Sequence, residues 1–405
     1  MTSRCHVVIA GAGLVGMALA ARLASGSAAG RFGMTLIDAG APPAFSGNDD
    51  VALRVSAISS GSMQFFARLG IRDAIPATRA CPYRDMRVWD AAGAVDGPQT
   101  LTFSAAEFAL PELGHIVENE LLRQRLYERL QTLGVAMRFH TTITAIGRAA
   151  AGRDLTLEGG ERLPATLLVG ADGANSAVRA SAGFGVVNRR YPQDAVVAHV
   201  RPARAHRHTA WQRFLPEGPL ALLPLADGRV SVVWSTTPAR AASLLEMDDA
   251  AFGRALTAAS DDVLGRLTAG GARASFPLRA QYVRRYVAAG LALAGDAAHT
   301  VHPLAGQGVN LGLADAAELA TVLETACLRG DSPADLPVLR RYERARKGPN
   351  QAMLYVIDGL QRLFAGEAAA LAVLRGTGMQ LFNRSGPLRR AAMRVALGLD
   401  NARES

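Results

Sequence analysis

The sequence is poor in cysteine and has almost no lysine. Its three cysteines, Cys5, Cys81 and Cys327, are odd in number, widely separated and free of any C-x-x-C pair. This excludes a disulfide framework and a cysteine-based zinc or redox site, so the chain reads as a reduced cytoplasmic protein without structural metal. Lys347 is the only lysine, and arginine supplies nearly all the positive charge behind the net +9. That charge is spread along the chain. The lack of a clustered basic patch or module argues against nucleic acid, and leaves an anionic membrane surface or a phosphorylated cofactor as partners for a basic protein. No segment offers the ~18 uninterrupted apolar residues of a spanning helix, so a soluble or peripheral protein is expected. Arg4 followed by the apolar stretch Val7 to Ala21 mimics a secretory leader, but the glycines in it fall at turn positions. Internal repeats and low-complexity linkers are lacking too, and the G-x-G-x-x-G pattern occurs once.

What is present suffices for a large core. Of 405 residues, 49% are hydrophobic and 20% charged, which supports more than one domain and sets disorder aside. Cys5 to Ala10 is a β-branched-rich run, Leu14 to Ser25 is helical in composition, and Met34 to Asp38 is a second strand; together they predict a β-α-β unit. Glu118 to Leu133 has helical periodicity closed by Gly134, and Leu155 to Val169 predicts two strands joined at Gly159-Gly160. From about Tyr191 to Pro277 the texture changes to alternating strands at Val196 to Val200, Trp211 to Leu215, Leu220 to Leu225 and Val230 to Ser235. Strand and helix return at Leu291, and the C-terminal region is helical, apolar and dotted with arginine.

Gly11-Ala12-Gly13-Leu14-Val15-Gly16 stands directly after a strand and opens a helix, with Asp38 ending the next strand. In a dinucleotide site the first glycine permits the tight turn, the second lets backbone approach pyrophosphate, and the third lets helix and strand pack. The helix N-terminus favours the anion, and Asp38 would accept hydrogen bonds from the adenosine ribose. With 41 glycines in the chain the bare pattern is weak, and its context carries the assignment. It does not separate NAD from FAD.

Leu168-Val169-Gly170-Ala171-Asp172-Gly173-Ala174-Asn175-Ser176, ending in Ala177-Val178-Arg179, is a strand running into a Gly-flanked aspartate and then a helix; Asp172 is either exposed for a ligand or a cap. This segment resembles the second signature of the flavoprotein aromatic hydroxylases. Leu293-Ala294-Gly295-Asp296-Ala297-Ala298-His299, followed by Pro303-Leu304-Ala305-Gly306-Gln307-Gly308-Val309-Asn310-Leu311-Gly312, resembles the third. The resemblance implies FAD, with Asp172 near both flavin and nicotinamide nucleotide, Asp296 on the ribityl chain, and the segment Gly306 to Asn310 presenting backbone N–H groups and a helix start to the flavin ring. Reduced flavin carries negative charge, which a helix N-terminus stabilises.

Arg54-Val55-Ser56-Ala57-Ile58-Ser59 leading to Leu69-Gly70-Ile71, Gln212 to Pro216 with Gly218 to Leu225, and His302-Pro303-Leu304-Ala305-Gly306-Gln307-Gly308 resemble the ubiquinone-pathway hydroxylases of that family over essentially the whole chain. Within the group, Gly114 to Glu118, Gln124-Arg125-Leu126 and Leu36 to Ala39 look most like the enzymes acting on polyprenyl-methoxyphenol. The fold so implied is α/β: a Rossmann-like FAD domain of the p-hydroxybenzoate hydroxylase type from 1–75, 105–182 and 280–345, an inserted β-sheet substrate domain from 76–104 and 183–279, and a helical region at 346–405. The implied activity is NAD(P)H-dependent hydroxylation of a polyprenylated phenol with molecular oxygen, through a flavin C4a-hydroperoxide. The implied FAD contacts are Gly11, Gly13, Gly16, Asp38, Arg54, Gln124, Asp172, Gly295, Asp296, Pro303, Gly306, Gly308, Val309 and Asn310.

Arg213, Leu220, Leu222 and Pro303 are candidates to line the substrate pocket. A base near the phenol would help, and His299 and His302 are the weak candidates for it, since either histidine can equally cap or pack. The tail from Met353 to Leu399 interleaves apolar residues with arginines: an amphipathic membrane-surface helix is one reading, and packing on the flavin domain or in an oligomer contact is the commoner one. Other ubiquinone-pathway proteins are possible partners under this reading. Two rival functions stay open: a hydroxylase of a small salicylate-like acid clamped by Arg213, and a non-catalytic FAD-bound member of a quinone-making complex.

Overall fold

The β-branched run Cys5–Ala10 forms a strand buried along nearly its whole length, as a central parallel strand requires. In the structure, a computed structural model that describes residues 4–150, 152–301, 307–364 and 369–399, this strand pairs in parallel with Phe32–Ile37 on one side and Leu167–Gly170 on the other. Leu291–Leu293 lies in parallel beside Leu167–Gly170, with Val287–Ala288 antiparallel beyond it, and Ala136–Arg138 closes the opposite edge. The chain thus steps outward from its first strand and later returns to that strand's other side. The seam between Cys5–Ala10 and Leu167–Gly170 is a topological switch point, where open α/β sheets receive ligands at their carboxyl ends.

Helix Leu14–Ser25 packs between this sheet and helix Gln307–Arg329. Helix Asn119–Thr132 buries Leu121, Leu122, Leu126 and Leu130 against the same core, and Gly134, at φ +67°, ends it in the left-handed conformation that suits glycine. The turn at Gly159 and Gly160 joins Gly152–Leu157 to Arg162–Ala165, in a small antiparallel sheet of its own with Ile143–Ala149.

The β-rich stretch forms an eight-stranded sheet, running from Leu101–Ser104 and Asp85–Asp90 through Thr209–Leu215, Gly218–Pro224, Val230–Thr236 and Val186–Pro202 to Leu267–Val283 and His299–Thr300. The sequence shows only the middle of Val186–Pro202 as a strand, and it conceals two helices, Pro238–Glu246 and Asp249–Ala259. Their caps are local: the Thr237 side chain accepts from Arg240 N, with Pro238 in the first turn, and Asp248 accepts from Ala251 N. Leu244, Phe252 and Leu256 cover one face of the sheet. Pairing of His299–Thr300 with Gln281–Tyr282 ties the third motif to the sheet's other end.

The C-terminal region forms helices Leu336–Phe364, Ala369–Arg384 and Pro387–Ala396. Their inner side is packed: Phe364 stacks on Phe214 at 4.0 Å between ring centroids, and Met379, Met393 and Leu397 are buried with it. Asn383 Nδ2 donates to Thr100 O at 3.0 Å, and Arg389 pairs with Glu107 at 2.9 Å. Tyr355, Val356, Leu381, Leu388 and Val395 remain exposed on these helices. Among the described residues no helix is long and apolar enough to cross a membrane.

Candidate flavin site

Register sets Ala10 against Gly170 and Gly170 against Leu293, so three adjacent parallel strands end side by side. Each runs into one of the glycine turns. Gly11 has φ +107°, and a Cβ there would lie 2.3 Å from the Ala171 carbonyl oxygen; a Cβ on Gly16 would lie 2.0 Å from Gly11 O. Gly295 and Gly312 both close on Val15, where added Cβ atoms would sit 3.0 Å and 2.6 Å from its Cγ2. The three motifs therefore meet backbone to backbone. Gly13 differs, for its φ of −79° suits any residue and a Cβ there would meet nothing within 4 Å. It is the N-cap of Leu14–Ser25, with no side-chain cap and no acidic residue in the first turn. The helix's first N–H groups are left for an anion from outside.

Around these turns stand the polar groups. Asp38 accepts from Ala12 N through Oδ2 at 2.6 Å and from Gly40 N through Oδ1 at 2.7 Å, so it braces the glycine loop. Asp172 Oδ2 accepts from Val178 N at 3.1 Å, which makes it a cap, while its Oδ1 is buried without a partner. Gln124 donates through Nε2 to Glu128 at 2.9 Å, and its Oε1 is likewise buried and unpartnered. Asp296 is solvent-accessible yet ringed by protein; that crowding raises its carboxyl above the ordinary range, and the charges of His299, Arg54 and Arg279 pull the other way. Asn310, at the start of Gln307–Arg329, donates to Ala57 O and accepts from Ser59 N, both at 2.9 Å, pinning strand Val55–Ser59 to the helix. Gly308 and Val309 share that first turn, which has no acidic residue. Among the described residues no group of histidines, cysteines and carboxylates could hold a metal ion.

This arrangement is matched by known proteins. Residues 4–355 match the FAD binding domain family, FAD_binding_3. The chain belongs to that family. FAD is accordingly its cofactor, as the third signature implies. The chain is 39% identical to a 3-demethoxyubiquinol 3-hydroxylase of Escherichia coli, over 97% of this chain and 98% of that protein. It is 38% identical to the ubiquinone hydroxylase UbiL of Rhodospirillum rubrum, over 97% of this chain and 89% of that one. Among solved structures, Pseudomonas aeruginosa PqsL in complex with 2-aminobenzoylacetate superposes with a TM-score of 0.74 at 22% identity, covering 93% of this chain and 99% of that chain; this is a likeness of fold.

The residues present fit FAD. The open space at Gly13 with an uncapped helix behind it suits pyrophosphate, and the orphan oxygens of Gln124 and Asp172 are acceptors that a hydroxyl-rich ligand can satisfy.

Sequence reading missed the groups that hold these parts in place. Asp315, fully buried on Gln307–Arg329, accepts from His299 Nε2 at 2.5 Å and Gly295 N at 3.1 Å through Oδ2, and from Arg346 Nε at 2.8 Å and Asn350 Nδ2 at 3.0 Å through Oδ1. Burial opposes ionisation of Asp315, but His299 and Arg346 outweigh it and hold the carboxyl well below its ordinary range. Glu118, also buried, accepts from Ala52 N at 2.7 Å and pairs twice with Arg79, whose Nη1 donates to Asp49 O at 2.8 Å. That clamp fixes the loop leading to Arg54. Arg123 Nε donates to Ala12 O at 3.3 Å, placing a cation beside the glycine loop. None of these pairs has a sequence pattern; each is a long-range meeting of common residue types.

Four expectations are corrected. His299 is 1% exposed and bonded to Asp315, so it cannot reach a substrate as a base. Leu220 and Leu222 lie on the sheet face filled by Leu244, Phe252 and Leu256. Arg213 is on the same face and donates to Ala259 O at 3.0 Å and Ala91 O at 3.2 Å, capping the end of helix Asp249–Ala259 rather than waiting for a carboxylate. Cross-strand register puts Gln212 opposite Ala221 on the other face. His302, Pro303 and Gly306 lie outside the described residues.

Two outcomes follow. Gly13→Val should still fold, at a cost of about 1 kcal/mol for a poorer N-cap residue, because nothing of the protein occupies its Cβ position, yet lose FAD affinity by about a hundredfold or more because the pyrophosphate approach is blocked; apoprotein melting and FAD titration check both, and unchanged FAD affinity would refute the placement. For Asp315, a depressed folded pKa means that its stabilisation is complete above the ordinary value of about 4 and is lost as pH falls below it. Asp315→Asn should cost about 3 kcal/mol at neutral pH by leaving Arg346 buried without its charge partner, and should flatten the loss of stability below pH about 4; urea titrations at a series of pH values measure both, and parallel pH profiles would count against the assignment.

Proposed function

We propose that this protein is an FAD-dependent monooxygenase that uses NAD(P)H and molecular oxygen to hydroxylate the ring of a polyprenylated phenol in ubiquinone biosynthesis. The observation that carries this reading is end-to-end similarity to a 3-demethoxyubiquinol 3-hydroxylase and a ubiquinone hydroxylase, in a chain whose three flavin turns converge beside the unpartnered oxygens of Gln124 and Asp172. Bound FAD supplies the redox chemistry that takes hydride and activates oxygen.

In this reading Gly11, Gly13 and Gly16 admit the pyrophosphate, Asp38 meets the adenosine ribose with the lone pairs left by Ala12 and Gly40, and Gln124 and Asp172 use their unpartnered oxygens on the cofactor. Arg54, Gly295, Asp296, Gly308, Val309 and Asn310 surround its flavin end, Asn310 by its backbone because its side chain is already engaged. The flavin part comprises 1–75, 105–182 and 280–345 and the substrate part 76–104 and 183–279, which suits the sharing of one sheet by Asp85–Asp90, Leu101–Ser104 and the strands from 186 to 283. A clamp for a small aromatic acid loses its support, since Arg213 caps a helix.

The exposed apolar side of the tail favours a peripheral seat on the cytoplasmic face of a membrane. Leu381, Leu388 and Val395 are each more than half exposed, and between Glu367 and Asp400 the sequence holds five arginines and no acidic residue. Apolar insertion flanked by cations suits an anionic bilayer.

Deleting the gene should deplete ubiquinone and accumulate a polyprenylated phenol, whose mass identifies the missing hydroxyl; an unchanged quinone profile, with no substrate-stimulated NAD(P)H oxidation by the purified holoprotein, would defeat the reading. The holoprotein should float with vesicles containing anionic lipid and stay behind with neutral ones, and a triple variant, Leu381→Asp, Leu388→Asp and Val395→Asp, should not float. Flotation of the variant equal to wild type removes the tail from membrane contact.

A further inference from the structure

A cavity opens beside the third flavin motif, with Gln307 and Asn310 in its lining. It is about 300 Å³ in volume and sits between helix Ser60–Arg68, the first turns of Gln307–Arg329, the middle of Leu336–Phe364 and the end of the tail at Val395–Gly398. That size is at the lower end of ligand pockets, about 300–1,000 Å³. Leu311 and Ala314 line it, directly after Val309 and Asn310 on the same helix, so its inner end begins within a turn of the flavin motif. Phe65 and Met353 form other walls.

Polar groups on its border are engaged within the protein. Asn310 is bonded to Ala57 and Ser59, Arg346 to Asp315 and Asn350, and Ser62 N to Ser59 Oγ. The surface they leave to an occupant is largely apolar; of the two arginines in the lining, Arg346 is buried and committed to Asp315 and Asn350, and Arg68 is exposed. The roof is fixed by main-chain contact: Gly61 N donates to Leu397 O at 2.9 Å, and a Cβ on Gly61 would lie 2.5 Å from Gly398 O. Val395 borders the cavity and is itself 55% exposed. The mouth therefore opens onto the apolar, arginine-flanked side of the tail.

We propose that this cavity receives the polyprenyl chain of the substrate, leading it from the ring at the flavin end along Leu311 and Ala314 to the outer face of the tail. The assignment rests on the hydroxylase reading above and adds the location of the chain. An apolar chain fits because the lining is mainly apolar and its buried cation, Arg346, is already paired.

The test uses full-length holoprotein with Ala314→Trp or Ala317→Trp, which fill the cavity from residues outside the flavin machinery. With FAD content and melting unchanged, kcat/KM for a prenylated 2-methoxyphenol should fall about tenfold or more, as expected when a few methylene groups lose their burial, while that for 2-methoxyphenol itself should stay within about twofold. A photoreactive diazirine on the prenyl chain should label wild-type residues 307–317 and 393–399. Equal effects on both substrates, or none on either, with labelling elsewhere, overturn the proposal; where a variant fails to fold, labelling of wild type decides. Wild-type protein that hydroxylates neither phenol sinks the hydroxylase reading itself, and the chain assignment with it.

Discussion

The cofactor cleft depends on backbone passing where side chains cannot. Gly16 must let its helix approach Gly11 so closely that a methyl group would fall on the carbonyl oxygen, and Gly11 must in turn lie against Ala171. Those contacts bring the ends of two strands, distant in sequence, to one seam, and Gly295 and Gly312 repeat the device around Val15. Everything that points at the cofactor follows from that closeness. The uncapped helix start at Gly13 becomes a receptor for phosphate only because the strand before it delivers it to the carboxyl edge of the sheet.

Such closeness has a second requirement, rigidity, which buried charge provides at a cost. Removing a carboxylate from water costs several kcal/mol even after relaxation, so Asp315 is tolerable only because four donors converge on it, two from each of the elements it joins. Gly295 N and His299 Nε2 belong to the third flavin motif, and Arg346 Nε and Asn350 Nδ2 to the helix that leads into the tail. The same logic holds at Glu118, where Arg79 and Ala52 satisfy a buried carboxylate and the loop before Arg54 loses its freedom as a consequence. In both cases the charge sits behind a cofactor-facing segment. Burial pushes the phenols of Tyr286 and Tyr342 up as well, with Asp315 adding to the effect, so this region stays neutral apart from its paired ions.

The division between what the sequence reveals and what it hides follows from range. The turns at Gly11 and Gly295 and the helix end at Gly134 are set by residues next to one another, and they stand where the sequence puts them. Asp315, Arg346, Glu118 and Arg79 are ordinary residues on ordinary helices and strands, and their roles exist only after folding brings them together. The substrate strands misled for a different reason. Gly218–Pro224 is buried along most of its length because helices cover one side and other elements the other. With no alternation of polar and apolar residues to read, the face of Leu220 and Leu222 is indistinguishable from that of Ala221 and Leu223 until the register with Thr209–Leu215 is known. Helices Pro238–Glu246 and Asp249–Ala259, which fill the first face, were hidden among strands.

Composition leaves a choice open at the tail. An amphipathic helix that packs on the core should bury its apolar residues, and one that lies on a bilayer should expose them. Here successive helices do both: Met379, Met393 and Leu397 are inside while Leu381, Leu388 and Val395 are outside, with Phe364 anchoring the set to Phe214 of the large sheet. A tail that only stabilised the core would have no reason to leave its outer side apolar, since exposed leucines and valines add nothing to folding and invite association. A tail that only touched a membrane would not need its last turn hydrogen-bonded to Gly61, at the roof of a cavity that begins beside the flavin motif. The two faces make sense together if the substrate is itself divided, with a ring that must reach the flavin and a chain that belongs in lipid. The tail then joins an apolar exterior to an apolar interior, and the arginines along it keep that junction at the surface.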